Sequence, residues 1–260
     1  MDNHIKWYDR IWAAYMFFTR LPLWRVHQPA QGCYSSVVEW WPLVGWLTGA
    51  VMGGVLYFSC LVLPYAVAVL LAIAARLLLT GALHEDGLAD FIDGFGGGGT
   101  DRQRILDIMK DSHIGTYGVL GLVVYVGLLF TMLASMPPFY AALTIMAADP
   151  YAKMLSGQVV IMLPYARTEA SSKAHVVYRR MTTQAGILLA IQGLLPMGLY
   201  LYYMKEVIDW QFIIFLPCLV MYFLYRLIWS RLRGYTGDCC GALFLLTELM
   251  VYLTVVWQMQ

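Results

Sequence analysis

"WWPLVGWLTGAVMGGVLYFSCL", from Trp40 to Leu61, carries no charged side chain. A helix that crosses a bilayer needs roughly 20 mostly apolar residues, and it must satisfy its own backbone hydrogen bonds where water is absent. This stretch meets both demands. Gly45, Gly49 and Gly53 recur in it at every fourth position. One face is therefore bare of side chains, and a neighbouring helix backbone can approach it closely.

The rest of the chain repeats the pattern. Its 260 residues are 60% hydrophobic and 13% charged, whereas a soluble domain is about 45–50% apolar and about 25% charged. Further candidate spans are Tyr65–Leu79, Gly115–Ser135, Phe139–Leu163, Gln184–Met204, Phe212–Trp229 and Gly241–Trp257. Pro64, Pro137–Pro138 and Lys205–Trp210 fall in the connections. The expectation is an all-α integral membrane protein of about seven transmembrane helices, a single multi-pass domain over residues 1–260 without internal repeats. Ile11–Trp24 is broken by Arg20 and Pro22, and no small-residue cleavage site follows. It reads as an interfacial amphipathic helix rather than a signal peptide. Asp149 and Lys153, four apart inside a span, read as an internal salt bridge.

Charge narrows the function. The net charge of +1 gives no case for nucleic acid or another bulk polyanion. Cys33, Cys60, Cys218, Cys239 and Cys240 show no CxxC spacing and do not describe a disulfide framework. Fifteen of the 17 Lys and Arg residues, Arg76 among them, fall on the side of the N-terminus if the spans alternate. The opposite side keeps Lys205. The positive-inside rule then places the N-terminus and the loops 80–114, 164–183 and 230–240 in the cytoplasm.

The first of these loops holds "LHEDGLADFIDG", Leu83 to Gly94. As a helix over Leu83–Phe91, it sets Asp90 about 40° from Asp86 and Asp93 about 20° to the other side, with Glu85 about 100° away. Like charges so aligned repel. A hard divalent cation relieves the conflict, and Mg²⁺ typically takes a few carboxylates plus substrate phosphates. Asp86, Asp90 and Asp93 are thus candidate metal ligands, against the plainer reading of a solvated acidic loop. Gly94 is a candidate helix cap. Gly96–Gly99 reads as an open loop whose amides, at Gly97 and Gly98, suit phosphate. Thr100 with Gln103 reads as a capping box. It opens a short amphipathic helix with Ile105, Ile108 and Met109 on one side, and Asp107 and Asp111 form a second acidic stripe. With Arg102, Arg104 and Lys110 close in sequence, the region suits an enzyme acting on a diphosphate at the membrane surface.

"TGALHEDGLADFIDGFGGG" followed by "DRQRILDIMKDSHIGTYG" closely resembles the cobalamin-5′-phosphate synthase family. "FFTRLPL", "WWPLVGWLTGA", "YAR" at Tyr165–Arg167 and "YTGDCCGA" at Tyr235–Ala242 extend the resemblance over most of the chain. Two features depart from it. "TEASSKAH", Thr168–His175, stands where the family has a glycine-containing loop, and Lys153 stands where it has an arginine.

The resemblance implies a bacterial inner-membrane transferase that joins adenosylcobinamide-GDP to α-ribazole or its 5′-phosphate, releases GMP and requires Mg²⁺. It implies that Asp86, Asp90 and Asp93 hold the metal across the diphosphate. His84, Asp93 and Asp111 become candidate catalytic groups, with Asp238 and His113 as further proton acceptors. Arg102, Arg104, Lys110, Ser112, Arg167, Asp238, Gly97 and Gly98 become candidate substrate contacts. Expected partners are the two substrates and the lipid bilayer, with other cobalamin-assembly enzymes and a second copy of the chain as further candidates. Two alternatives stand beside this. CDP-alcohol phosphotransferases also cluster aspartates, but they carry Ala-Arg after the first Asp-Gly, and here Ala89 precedes Asp90. A divalent-cation transporter would place acids at mid-membrane, where this chain has only Asp149 and Glu248.

Overall fold

Trp41–Ser59 forms a helix, α2, with Pro42 in its first turn. There the missing proline N–H has no intrahelical partner to lose. The computed structural model describes residues 6–167, 178–179 and 181–260. Lys173, Arg180 and the Thr168–His175 departure lie outside them. Ahead of α2 come α1 (Trp7–Phe18) and two 3₁₀ stretches, Leu23–Arg25 and Gln31–Trp40. After it follow α3 (Tyr65–Thr80), α4 (Leu83–Gly97), α5 (Arg102–Lys110), α6 (Thr116–Ala134) and α7 (Pro138–Gly157). The chain closes with α8 (Val159–Met162), α9 (Thr183–Tyr203), α10 (Trp210–Leu232) and α11 (Gly237–Gln258). Among the described residues there is no β-strand, only an isolated bridge between Tyr165 and Tyr235.

Five helical stretches are long and apolar enough to cross a membrane: Gln31–Ser59, Thr116–Ala134, Thr183–Tyr203, Trp210–Leu232 and Gly237–Gln258. The pair α3 and α4, bent by 90°, makes a sixth if counted as one span. The expectation was seven. The shortfall has physical causes: α3 has only 16 residues, and α7 is an interior helix packed by α2, α9 and α11. It buries Thr144, Asp149, Lys153 and Ser156, so its composition answers to protein neighbours and not to lipid.

The glycine face packs as expected. A Cβ at Gly45 would lie 2.8 Å from Pro150 Cα, and one at Gly53 2.8 Å from the Ala142 carbonyl oxygen. Only hydrogen at those positions lets α2 lie this close to α7. The internal pair is also present. Asp149 and Lys153 are ion-paired and buried. The Thr48 hydroxyl donates to Asp149 Oδ2 at 2.7 Å, and Lys153 Nζ lies 4.0 Å from the Phe244 ring centroid. A second buried cluster centres on Arg76. Its Nη1 donates to both Glu248 oxygens at 2.8 and 2.7 Å, and its Nη2 donates to the Tyr125 hydroxyl at 2.7 Å. The reading of Arg76 as a flanking cation is therefore corrected. At 2% exposure it is an interior counter-ion.

The N-terminal helix starts earlier than Ile11 and stops at Phe18. Pro22 bars the residue before it from the helical region, and the chain turns through the 3₁₀ stretch instead. The backbone N–H of Lys6 donates to Asp9 Oδ2 at 2.8 Å and, with His27, holds that carboxylate below its ordinary range. Ala13, Ala14 and Phe18 are buried, and the Tyr15 hydroxyl donates to the Leu43 carbonyl at 3.0 Å, so α1 is docked on the bundle. At the same end the Arg20 N–H donates to Leu79 O and the Arg102 guanidinium to Ala166 O and Leu232 O, each at 2.7 Å. Arg167 donates to Leu106 O at 2.8 Å, and the Ala166 N–H to Tyr235 O at 2.8 Å. The three loops expected to share a side are thus tied together at one end.

Candidate active site

The acidic stretch reaches this end by a sharp turn. Gly81 (φ 66°) and Ala82 (φ 56°) are both left-handed, and they swing α4 away from the axis of α3. α4 then lies against the start of α11. A Cβ on Gly87 would lie 3.1 Å from Asp238 Cα, and one on Gly241 3.1 Å from the His84 carbonyl oxygen. The two glycines let the backbones touch, which sets His84 and Asp86 beside Asp238.

The four acids of α4 part company. Glu85 is buried and lies 3.9 Å from Arg76 Nη2, off the stripe as its helical angle predicts. Asp86 is exposed and Asp90 half-buried. Asp93 is buried, and its carboxylate caps α6: Oδ2 accepts the Gly115 N–H at 2.7 Å and Oδ1 the Gly118 N–H at 2.8 Å. A Cβ on either glycine would sit 2.4 Å from a carboxylate oxygen. The first amides of a helix lack intrahelical acceptors and carry partial positive charge, so a carboxylate is well placed there.

Two local expectations are corrected. Gly94 does not end the helix and Gly96–Gly99 is not an open loop, because α4 runs to Gly97 and the Gly98 N–H donates to Gly94 O at 2.9 Å. A Cβ on Gly98 would sit 2.5 Å from an Ile105 side-chain carbon, so the glycines serve contact with α5. The cap of α5 is Asp101, not Thr100. The Asp101 side chain accepts from the N–H groups of Gln103 and Arg104, while the Gln103 side chain donates to Asp107.

A cavity of about 270 Å³ opens beside α4. Its lining joins α1 (Phe17, Phe18), the second 3₁₀ stretch (Val38), the start of α2 (Trp41), α4 (Leu83, His84, Asp86), Tyr165, Arg167, Tyr178 and α11 (Gly237, Asp238, Cys240, Gly241). The floor is apolar and aromatic. Phe18, Val38, Trp41, His84 and Cys240 are each at most 6% exposed. The Phe18, Trp41 and His84 rings stack with centroids 5.4 to 6.1 Å apart. His84 Nε2 has no hydrogen-bond partner among the described residues. The more exposed Asp86, Arg167 and Asp238 form a charged rim.

Of the expected site residues, His84, Asp86, Arg167 and Asp238 share this cavity. The others lie apart from its lining. Arg102 is engaged by backbone carbonyls, Arg104, Lys110 and Ser112 are exposed, and Asp111 pairs with His113 Nδ1 at 2.7 Å on the surface. Phe18, Trp41, Tyr165, Tyr178 and Cys240 had no assigned role from sequence. Each nevertheless belongs to, or directly adjoins, a stretch that carries the family resemblance, except Tyr178.

Among the described residues no three His, Cys, Asp or Glu side chains converge as a metal site. The donor set still suits a hard cation in part. Asp86 and Asp90 lie one turn apart, about 6 Å between Cβ atoms, and Mg²⁺ commonly binds through one or two carboxylates and completes its shell with water and substrate phosphate. Both oxygens of Asp93 already accept backbone amides.

Residues 10–256 match the family model described as cobalamin-5-phosphate synthase. Among curated proteins, an adenosylcobinamide-GDP ribazoletransferase of Leptospira interrogans is 32% identical over 96% of this chain and 96% of its own. One of Vibrio parahaemolyticus is 36% identical over 94% of this chain and 90% of its own, and one of Ralstonia pickettii 33% identical over 94% and 93%. No solved structure matches the chain.

Proposed function

The chain belongs to the cobalamin-5-phosphate synthase family, and on that premise we propose that it joins adenosylcobinamide-GDP to α-ribazole, or to its 5′-phosphate, with release of GMP. The observation that carries the reading is the cavity in which Asp86, Arg167 and Asp238, from three separate segments, meet over an aromatic floor. A ribose hydroxyl of α-ribazole attacks the phosphorus that bears the cobinamide. A new P–O bond forms, and the bond to the GMP oxygen breaks. Asp238 accepts the hydroxyl proton: it stands on the rim, whereas His84 is buried in the floor and Asp111 and His113 lie on the surface outside the cavity lining. Arg167 spends one guanidinium N–H on Leu106 O and turns its remaining donors to phosphate. Asp86 and Asp90 would hold Mg²⁺, which when bound would neutralise charge growing on the leaving group. Asp93 keeps α6 in register with α4.

The bundle lies in a bacterial inner membrane with the cavity end and the N-terminus cytoplasmic, and α3 and α7 cross it beside the five long apolar stretches, which makes seven spans. Transport is disfavoured because each mid-membrane acid already has its cation: Asp149 has Lys153 and Glu248 has Arg76. The direct test supplies purified protein with adenosylcobinamide-GDP and α-ribazole. GMP release that needs both substrates and Mg²⁺ supports the reading, and its absence overturns it. Single cysteines at Thr100 and Glu206 in sealed vesicles test the orientation. They should label from opposite faces.

A further inference from the structure

We propose that the floor of the cavity binds the base of the acceptor nucleoside, a flat bicyclic heteroaromatic with apolar edges, while the corrinoid donor engages only the rim. This rests on the transferase reading and assigns the two substrates to places within it. Size makes the first cut. At about 270 Å³ the cavity falls just below the roughly 300–1,000 Å³ usual for drug-sized ligands. It can hold one nucleoside and cannot hold a corrin macrocycle.

Chemistry makes the second. Both substrates contain a flat base, the guanine of the donor and the base of the acceptor. Guanine buries favourably only if its N–H groups and carbonyl find partners, because an unsatisfied polar edge costs free energy. The floor offers Phe18, Val38 and Trp41, all buried, and its polar groups are three, the indole N–H of Trp41, the imidazole of His84 and the thiol of Cys240, fewer than the donors and acceptors along a guanine edge. Aromatic faces stack on any base, so the floor attracts both bases but penalises the one with the polar edge. The planes of the Phe18, Trp41 and His84 rings lie within 24° of parallel to one another, so the wall favours a flat guest before it arrives. A base seated there leaves its ribose at the rim with Asp86, Asp238 and Arg167, where a hydroxyl must meet phosphorus.

Two measurements on the full-length protein in detergent test this. First, equilibrium binding of α-ribazole and of guanosine is compared on the unmodified chain without metal or donor. α-Ribazole should bind at least about tenfold more tightly, the discrimination a pocket gains when the wrong guest leaves polar groups unpaired. Second, Cys240→Leu adds bulk to the floor. It should raise the acceptor KM about tenfold or more and leave the donor KM within about twofold. Equal binding of guanosine, a rise confined to the donor KM, or no change in either KM would overturn the assignment. If Cys240→Leu does not fold, the nucleoside comparison on the unmodified protein decides alone. Lack of GMP release by the unmodified protein sinks the transferase reading. GMP release with the donor KM displaced sinks only the placement of the base.

Discussion

In the bundle interior Asp149 lies against Lys153 and Glu248 against Arg76, each carboxylate within reach of a cation. At the end of the bundle Asp86 lies exposed on a cavity rim, one turn from Asp90, on a helix with no Lys or Arg from Leu83 to Gly97. The same residue type answers two problems. Inside, a carboxylate brings a cation into the low-dielectric core, and neither is tolerable there alone. At the rim, negative charge gathers without a cation on its own helix, which favours a positive ligand from solution. Glu85 shows that sequence neighbourhood does not decide the matter. It adjoins Asp86 in the chain yet belongs to the interior set, 3.9 Å from Arg76.

The largest effect should come from breaking an interior pair. Asp149→Asn leaves Lys153 buried without its counter-ion, a loss of about 3–5 kcal/mol for a pair broken from one side. Folded yield and thermal midpoint in detergent should fall together. Asp149→Asn combined with Lys153→Met removes the orphaned charge and should recover much of the loss. If the single variant kept normal yield and lost only activity, the pair would belong to the site and the contrast of the two regions would collapse.

The next effect divides the acidic helix itself. Asp86→Asn should cut GMP release about a hundredfold or more, the scale of a lost electrostatic contact to the transition state, with an unchanged thermal midpoint. Asp93→Asn should instead lower the midpoint. It exchanges two charge-assisted bonds to the Gly115 and Gly118 amides for one neutral acceptor and an NH₂ group that faces an N–H donor. Hydrogen bonds to charged groups contribute about 1.5–3 kcal/mol. Equal losses of activity at both positions, with stability intact, would return Asp93 to the metal.

This division marks the limit of what could be read from the sequence. Local regularities were legible. The apolar runs gave the long helices, Gly45, Gly49 and Gly53 gave a close contact, and the four-residue spacing of Asp149 and Lys153 gave their pair. Helical angles separated Glu85 from the stripe. What escaped depends on residues far apart in the chain. Asp93 meets amides 22 and 25 positions away. The only local hint was a pair of glycines, Gly115 and Gly118, flanking the start of an apolar run. The cavity floor escaped for the same reason. Phe18, Trp41 and Cys240 look like core residues, and only the packing of α1, α2, α4 and α11 turns them into one wall. α7 is less apolar than the five long stretches because burial among helices frees its composition from lipid.

The smallest effect sharpens the contrast at the scale of one cap. α5 begins with Asp101, whose Oδ1 accepts the Gln103 N–H at 2.9 Å and the Arg104 N–H at 3.3 Å. The capping-box reading gave that work to Thr100 and Gln103, but the Gln103 side chain donates to Asp107 Oδ1 at 2.9 Å and does not reach back. Asp101→Ala should therefore cost about 1 kcal/mol, the usual loss of an N-cap, and Thr100→Ala almost nothing. The loss belongs to a short surface helix, so hydrogen exchange of the α5 amides is a better probe than the global midpoint. A loss of that size should speed exchange there about fivefold. Ile105 and Met109 pack against Gly98 and Gly94 of α4, so the loosening should reach the far end of the acidic helix and fade before Asp86. This rim carboxylate is held by α11 through Gly87 and Gly241. Faster exchange in Thr100→Ala and none in Asp101→Ala would move the helix start by one residue and restore the capping box. Faster exchange that extended to Asp86 would mean that the rim is braced through α5 and not through α11.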